Sequence, residues 1–346
     1  MSLPISSRIN RRTLLQAAAA SAMASSLPAI AAAAQDRTSV TLALDWYPNA
    51  NHAGLYMAVA NGYFEAAGLD LEIFIPADPT TVLQTVGAGR DTFGITYQND
   101  VLQARANEVP IKSIAAVVQH PLNCVMVLAD SGIESPADLA GKTIAIAGVP
   151  TDEALLKTVL GSVDLTLDDV EIVNVGFDLM PALLSERADA LIGVYWTHET
   201  ILAEHEGYPV RYFPIQDYGV PDYYELVIVA GESTIADQPE VVSAFLGALR
   251  QGYADAAADL DSALDHLIAE SPELVEEVER QGLDLLAPMW TDNGAVLWGT
   301  QTPERWTTYT EWAQGEGLLP AEVVADDAWI DLFPASDATP VASPEN

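Results

Sequence analysis

Apolar and polar positions along the chain fall into two alternating rhythms. Val40-Thr41-Leu42-Ala43-Leu44 is a short apolar run of the length that suits a buried strand. A polar, aromatic loop follows from Asp45 to Asn51, then an apolar helical stretch from Ala53 to Asn61 that ends at Gly62. Leu71-Glu72-Ile73-Phe74-Ile75 alternates as a second strand, Pro76 to Thr80 turn into another helix, and Gly87-Ala88-Gly89 stop it. Phe93-Gly94-Ile95-Thr96 is a third strand. The same rhythm returns further on: a strand over 142–146, a helix from Thr151 to about Leu160, a strand over 170–175, a helix from Met180 to Glu186 and a strand over 190–194. Strands and helices taking turns predict parallel sheets with helices on both faces, an α/β fold.

Two stretches read as counterparts in the two units. Arg90 to Tyr97 and Arg187 to Tyr195 each run from an acidic turn through an apolar strand containing a glycine to a tyrosine. Beyond Val227 the character changes. Residues 239–280 read as long amphipathic helices with acids on the outer faces, and 301–317 as a last helix. The tail 334–346, rich in Pro, Ala, Ser and Thr, reads as disordered. At the other end, Arg11-Arg12 precede an alanine-rich apolar run that closes on Ala32-Ala33-Ala34. That is the pattern of a twin-arginine signal peptide over 1–34, predicting an exported mature chain with no membrane span.

Charge narrows the classes of partner. Lysine and arginine number 14 against 50 acids, a net charge of −36. Such a field opposes nucleic acid and anionic lipid, whose phosphates need a basic patch. The single Cys124 rules out an intrachain disulfide and any multi-cysteine metal site, and its apolar setting predicts a buried thiol. No nucleophile elbow, phosphate-binding glycine loop or zinc-binding H-E-x-x-H is present, and the five histidines are scattered. The residues therefore predict no metal and no cofactor.

The chemistry-bearing residues gather where strands end. Asp45-Trp46-Tyr47-Pro48-Asn49-Ala50-Asn51-His52 follows the first strand, and ligands of open α/β sheets sit at such carboxyl ends. Trp46 offers a flat wall, while Asp45, Asn49, Asn51 and His52 offer directional hydrogen bonds. A polar turn capping the next helix, with a half-buried tryptophan, accounts for the segment equally well. Three further clusters weigh toward a site. Tyr195-Trp196-Thr197-His198-Glu199 closes the second unit, Tyr97 occupies the matching place in the first, and Asp217 to Glu225 brings Tyr218, Tyr223 and Glu225. Stacking walls with a few polar contacts suit a small planar heterocycle.

With these residues the chain resembles the NMT1/THI5-like group of type II periplasmic binding proteins. The likeness is carried by Leu44 to Tyr56, by Ala60-Asn61-Gly62-Tyr63-Phe64 and by Asp217 to Glu225, and it extends over roughly residues 40 to 320. The resemblance implies two α/β domains joined by two crossover strands, with ligand in the cleft between them. Domain I would comprise 38–127 plus 227–330 and domain II 128–226. It further implies the solute-binding component of an ABC importer, with a membrane permease and an ATPase as partners, taking a thiamin pyrimidine precursor such as hydroxymethylpyrimidine or formylaminopyrimidine. By likeness, Trp46 with Tyr195 or Tyr223 would sandwich the ring, and Asp45, Asn49, Glu199 and Glu225 would meet its amino group and nitrogens. Riboflavin is the alternative ligand, since aromatic walls do not separate the two rings. The scarcity of basic residues near these positions disfavours a sulfonate or nitrate. The group also contains a pyrimidine-synthesising enzyme with a cysteine-rich iron-binding motif; the lone Cys124 and the export signal weigh against that activity here.

Overall fold

A computed structural model describes residues 37–76, 81–148, 150–176 and 178–333. The proposed signal peptide, the 334–346 tail and most of the turn expected over 76–80 lie outside the described residues. Among the described residues, ten strands form two five-stranded sheets. In the first, β1 (Thr38–Ala43) pairs in parallel with β2 (Leu69–Phe74) and β3 (Phe93–Thr96). β4 (Ile111–Val118) forms one edge, and the order is β2-β1-β3-β10-β4, where β10 is Leu226–Gly231. The second sheet holds β5 (Asn123–Leu128), β6 (Thr143–Ile146), β7 (Glu171–Asn174), β8 (Ala190–Tyr195) and β9 (Val210–Pro214), in the order β7-β6-β8-β5-β9.

The two orders are the same pattern used twice. Each sheet has three parallel strands built by strand–helix–strand connections, and then receives one strand from the other sheet. β10 enters the first sheet antiparallel to β3 and β4, and β5 enters the second antiparallel to β8 and β9. The sheets are therefore mixed, not parallel throughout as the alternation of elements predicts. A strand that arrives by crossing between sheets has no intervening helix to bring it back to the parallel start, so its direction is free to reverse. The chain passes from β4 to β5 through residues 119–122 and from β9 to β10 through 215–225. β5 belongs whole to the second sheet.

The strand periods explain the burial. Leu226, Ile228 and Ala230 of β10 face one apolar cluster while Val227 and Val229 face the other. Side chains of a strand point alternately to opposite faces, so a strand covered on both reads as an unbroken apolar run. The first cluster lies between the first sheet and the Ala53–Ala60 and Pro239–Ala258 helices. Those helices meet at Gly54 and Gly252, where a side chain on either would collide with Tyr253 or with the facing backbone. The Leu260–Glu270, Glu276–Leu286 and Pro303–Gly315 helices complete the C-terminal part. No described helix is long and apolar enough to cross a membrane. Cys124 is fully buried in β5, where burial raises its thiol pKa well above the ordinary value, so it stays protonated.

Candidate functional site

The loop after β1 is tied down by its own polar side chains. Asn49 caps the short Ala50–His52 turn, its Oδ1 accepting the backbone N–H and the side-chain amide of Asn51, both at 2.9 Å. The Asn49 N–H donates to Nδ1 of His52 at 3.2 Å. An imidazole nitrogen that accepts is unprotonated, so the proton sits on Nε2, which donates to Asp45 Oδ1 at 2.9 Å. Asp45 is 4% exposed and takes a second hydrogen bond, from the Tyr97 hydroxyl to Oδ2 at 3.1 Å. Tyr97 immediately follows β3, so two neighbouring strand ends of the first sheet deliver one carboxylate–phenol pair.

A second pair stands at the counterpart place. Tyr195 is the last residue of β8, and its hydroxyl donates to Glu225 Oε1 at 3.0 Å. Glu225 is 2% exposed and also accepts from the Leu122 N–H at 2.7 Å, the Tyr223 hydroxyl at 3.1 Å and the Asn123 amide at 3.1 Å. Leu122 lies on one connection between the sheets and Glu225 on the other, so this carboxylate fastens the two connections together. Burial pushes the Glu225 pKa up, against the pull of its four donors. Burial first, then the neighbouring carboxylates, raises the Tyr97 and Tyr195 phenols well above the ordinary range, which keeps them neutral donors. Each phenol feels both Asp45 and Glu225, so the two pairs share one electrostatic field.

Other expected residues have different attachments. Trp46 is 36% exposed, edge-on to Tyr47 at 6.0 Å. Glu199 accepts the Tyr195 N–H at 2.8 Å. Trp196 stacks on Tyr212 of β9 at 6.4 Å, with its indole N–H directed at the Pro121 carbonyl. Tyr223 lies against Tyr309, with 4.9 Å between ring centroids. Tyr218 packs edge-on against Phe213 of the second sheet. Asn49 caps the turn, with its side-chain oxygen engaged within the loop.

Sequence reasoning passed over Asn123, Tyr253 and Glu279. The Tyr253 hydroxyl donates to the Asn51 carbonyl at 2.8 Å and so steadies the loop from the Pro239–Ala258 helix. Glu279, 1% exposed, accepts the Ala50 N–H at 2.7 Å and faces His198 Nδ1 at 3.8 Å. One turn along, Gly282 brings its helix against the backbone of Thr197; a Cβ there would lie 3.0 Å from the Thr197 oxygen and 3.3 Å from the Ala50 Cβ. On another flank, the Asn99 amide donates to the Thr151 hydroxyl at 2.6 Å. Residues of helices attached to the two sheets thus meet directly. Among the described residues no group of three or more His, Cys, Asp or Glu could hold a metal ion.

Comparison with known proteins places the chain among relatives. A family profile described as NMT1/THI5 like matches residues 49–263. The formylaminopyrimidine-binding protein of Halalkalibacterium halodurans is 40% identical over 299 residues, covering 85% of this chain and 90% of that protein. A 4-amino-5-hydroxymethyl-2-methylpyrimidine phosphate synthase of Aspergillus parasiticus is 28% identical over 256 residues, covering 70% and 73%. Among solved structures, the periplasmic aliphatic sulphonate binding protein SsuA of Escherichia coli superposes with a TM-score of 0.69 at 15% identity, covering 89% of this chain and 98% of that one. At that identity the likeness concerns the fold.

Proposed function

The chain belongs to the NMT1/THI5-like family, and on that premise we propose that it captures an amino-substituted pyrimidine of the thiamin-precursor kind and delivers it to an ABC importer. The observation that carries this reading is the 40% identity, over nearly the whole length, to a formylaminopyrimidine-binding protein. The site geometry supports it. Trp46 and Tyr195 supply flat surfaces, and Asp45 and Glu199 keep carboxylate oxygens able to accept from a ring amino group. Glu225, already holding four donors, serves as the anchor that orients Tyr195 and Tyr223.

In this reading the two sheets and their helices are two lobes, joined at 119–122 and 215–225, that close over the ligand. The closed form docks on a membrane permease driven by an ATPase. Residues 1–34 direct export and are removed. The protein has no chemistry of its own: His52 is spent between Asn49 and Asp45, and the only thiol is buried. Thermal melting of the purified protein with hydroxymethylpyrimidine, formylaminopyrimidine, thiamin, riboflavin and an aliphatic sulfonate tests this. A ligand that binds only the folded state raises the melting temperature by mass action. A rise with the two pyrimidines alone is expected. A rise with riboflavin alone would move the ligand, and a rise with the sulfonate alone would overturn the site.

A further inference from the structure

Asp45 and Glu225 are buried carboxylates, and every donor that reaches them among the described residues is neutral. For Asp45 these are the Tyr97 phenol and His52, whose Nδ1 accepts a backbone N–H and so leaves the ring uncharged. For Glu225 they are a backbone N–H, an amide and two phenols. A buried charge without a countercharge is costly even when its hydrogen bonds are made. Among the described residues the surroundings add none. Tyr97, Tyr195, Tyr223, Tyr253 and Tyr309 face the pair from the loop after β3, from β8, from the second crossover and from two C-terminal helices, and burial holds all five phenols neutral. Glu199 and Glu279 bring further carboxylates, Asp100 another beside Tyr97, and His198 beside Glu279 is the second imidazole after His52. On the same loop as Asp45, the Oδ1 of Asn51 is a buried acceptor with no hydrogen-bond partner, in a residue only 2% exposed.

We infer that the site takes its heterocycle as a cation, protonated on a ring nitrogen, with that charge matched to the Asp45 and Glu225 carboxylates. The inference rests on the preceding reading of the ligand. It names the form that a surplus of acceptors and negative charge selects. Protonation next to an exocyclic amino group gives two N–H donors on one edge with a shared positive charge, the partner that a carboxylate binds best. Anions are repelled by the same field, and a ring with no basic nitrogen gains nothing from it.

Linkage fixes the consequence. Above the ring's own pKa, one proton must be taken up with each ligand, so affinity falls about tenfold per pH unit. Calorimetric titration of the protein with hydroxymethylpyrimidine, in two buffers of different ionisation enthalpy and above the ring's pKa, counts those protons. The nitrogen-15 shift of a ring-labelled ligand reports where they reside. Uptake close to one proton, with a protonated ring nitrogen in the complex, is expected. For Asp45→Asn, an affinity at least tenfold lower and a diminished uptake are expected. Tight binding without proton uptake overturns the inference and leaves the preceding reading intact. So does uptake with an unprotonated ring, because the proton then resides on the protein. Failure of every pyrimidine to bind at any pH overturns both readings together.

Discussion

The hydroxyl of Tyr195, at the end of β8, donates to Glu225 on the second crossover at 3.0 Å. The strand end and both connections between the sheets are thereby joined at one carboxylate, since Leu122 on the first connection donates to it as well. Replacing Glu225 by alanine leaves a backbone N–H, an amide and two phenols without their acceptor. Buried donors left unsatisfied cost about 1–3 kcal/mol each, so Glu225→Ala is expected to lower stability by roughly 3 kcal/mol or more, read as the urea unfolding midpoint. Tyr195→Phe removes one bond and is expected to cost about 1 kcal/mol. An alanine variant as stable as the parent would show that water replaces the carboxylate.

Trp46 is the exposed wall of the proposed site. Trp46→Ala is expected to weaken pyrimidine binding by about 1–3 kcal/mol, the scale of base–aromatic stacking. It belongs to none of the buried apolar clusters, so the melting temperature should move less than the affinity. Calorimetry and melting on the same sample separate the two effects. Unchanged affinity would remove Trp46 from the site.

Gly282 is the point where the Glu276–Leu286 helix touches the segment after β8. A Cβ would lie 3.0 Å from the Thr197 oxygen, so valine must push the two apart. If closure brings these surfaces together, Gly282→Val favours the open form and weakens binding by about tenfold or more, since closed-state affinity scales with the closed fraction. The helical signal in circular dichroism should be kept. A variant that binds like the parent would place this contact outside the closing motion.

His120 sits between the carboxylates of Asp222, at 2.9 Å from Nδ1, and Asp292, at 3.4 Å from Nε2. Carboxylates only accept, so the bridge needs both ring nitrogens to donate. The hydrogen bond to Asp222 is the main cause that raises the His120 pKa, opposed by burial. Arg305, also bound to Asp222 at 2.9 Å, opposes the shift as well. A raised histidine stabilises the fold fully below its unfolded value of about 6.5. That contribution is lost as pH rises through the folded value. Urea midpoints measured well below and well above this window should therefore differ in the parent, and His120→Gln should flatten the difference. An unaltered pH dependence in the variant would assign it to another group.

Much of the scaffold was legible because it is local. The apolar run of β1, the alternation of β2 and the helices after β1 and β6 follow from neighbouring residues. Strand direction did not follow: β5 and β10 run against their sheets because they arrive from elsewhere, and no local pattern encodes that. The strand-end tyrosines Tyr97 and Tyr195 were legible as counterparts, and the structure gives each a buried carboxylate. Their partners' anchors were not. Asn123 meets Glu225, and Glu279 meets Ala50 from 229 residues away. Glu279 stands in an acid-rich helix, next to residues that are solvated, and only tertiary packing singles it out. Asn49 shows the opposite case, where a residue type apt for ligand contact is used to cap a turn.

The most direct test of the account is a calorimetric titration of the purified protein with formylaminopyrimidine, with riboflavin titrated in parallel. Saturable binding of one pyrimidine per chain, with no heat from riboflavin, is the result the account predicts. One-to-one binding of riboflavin with silence from the pyrimidine would contradict it.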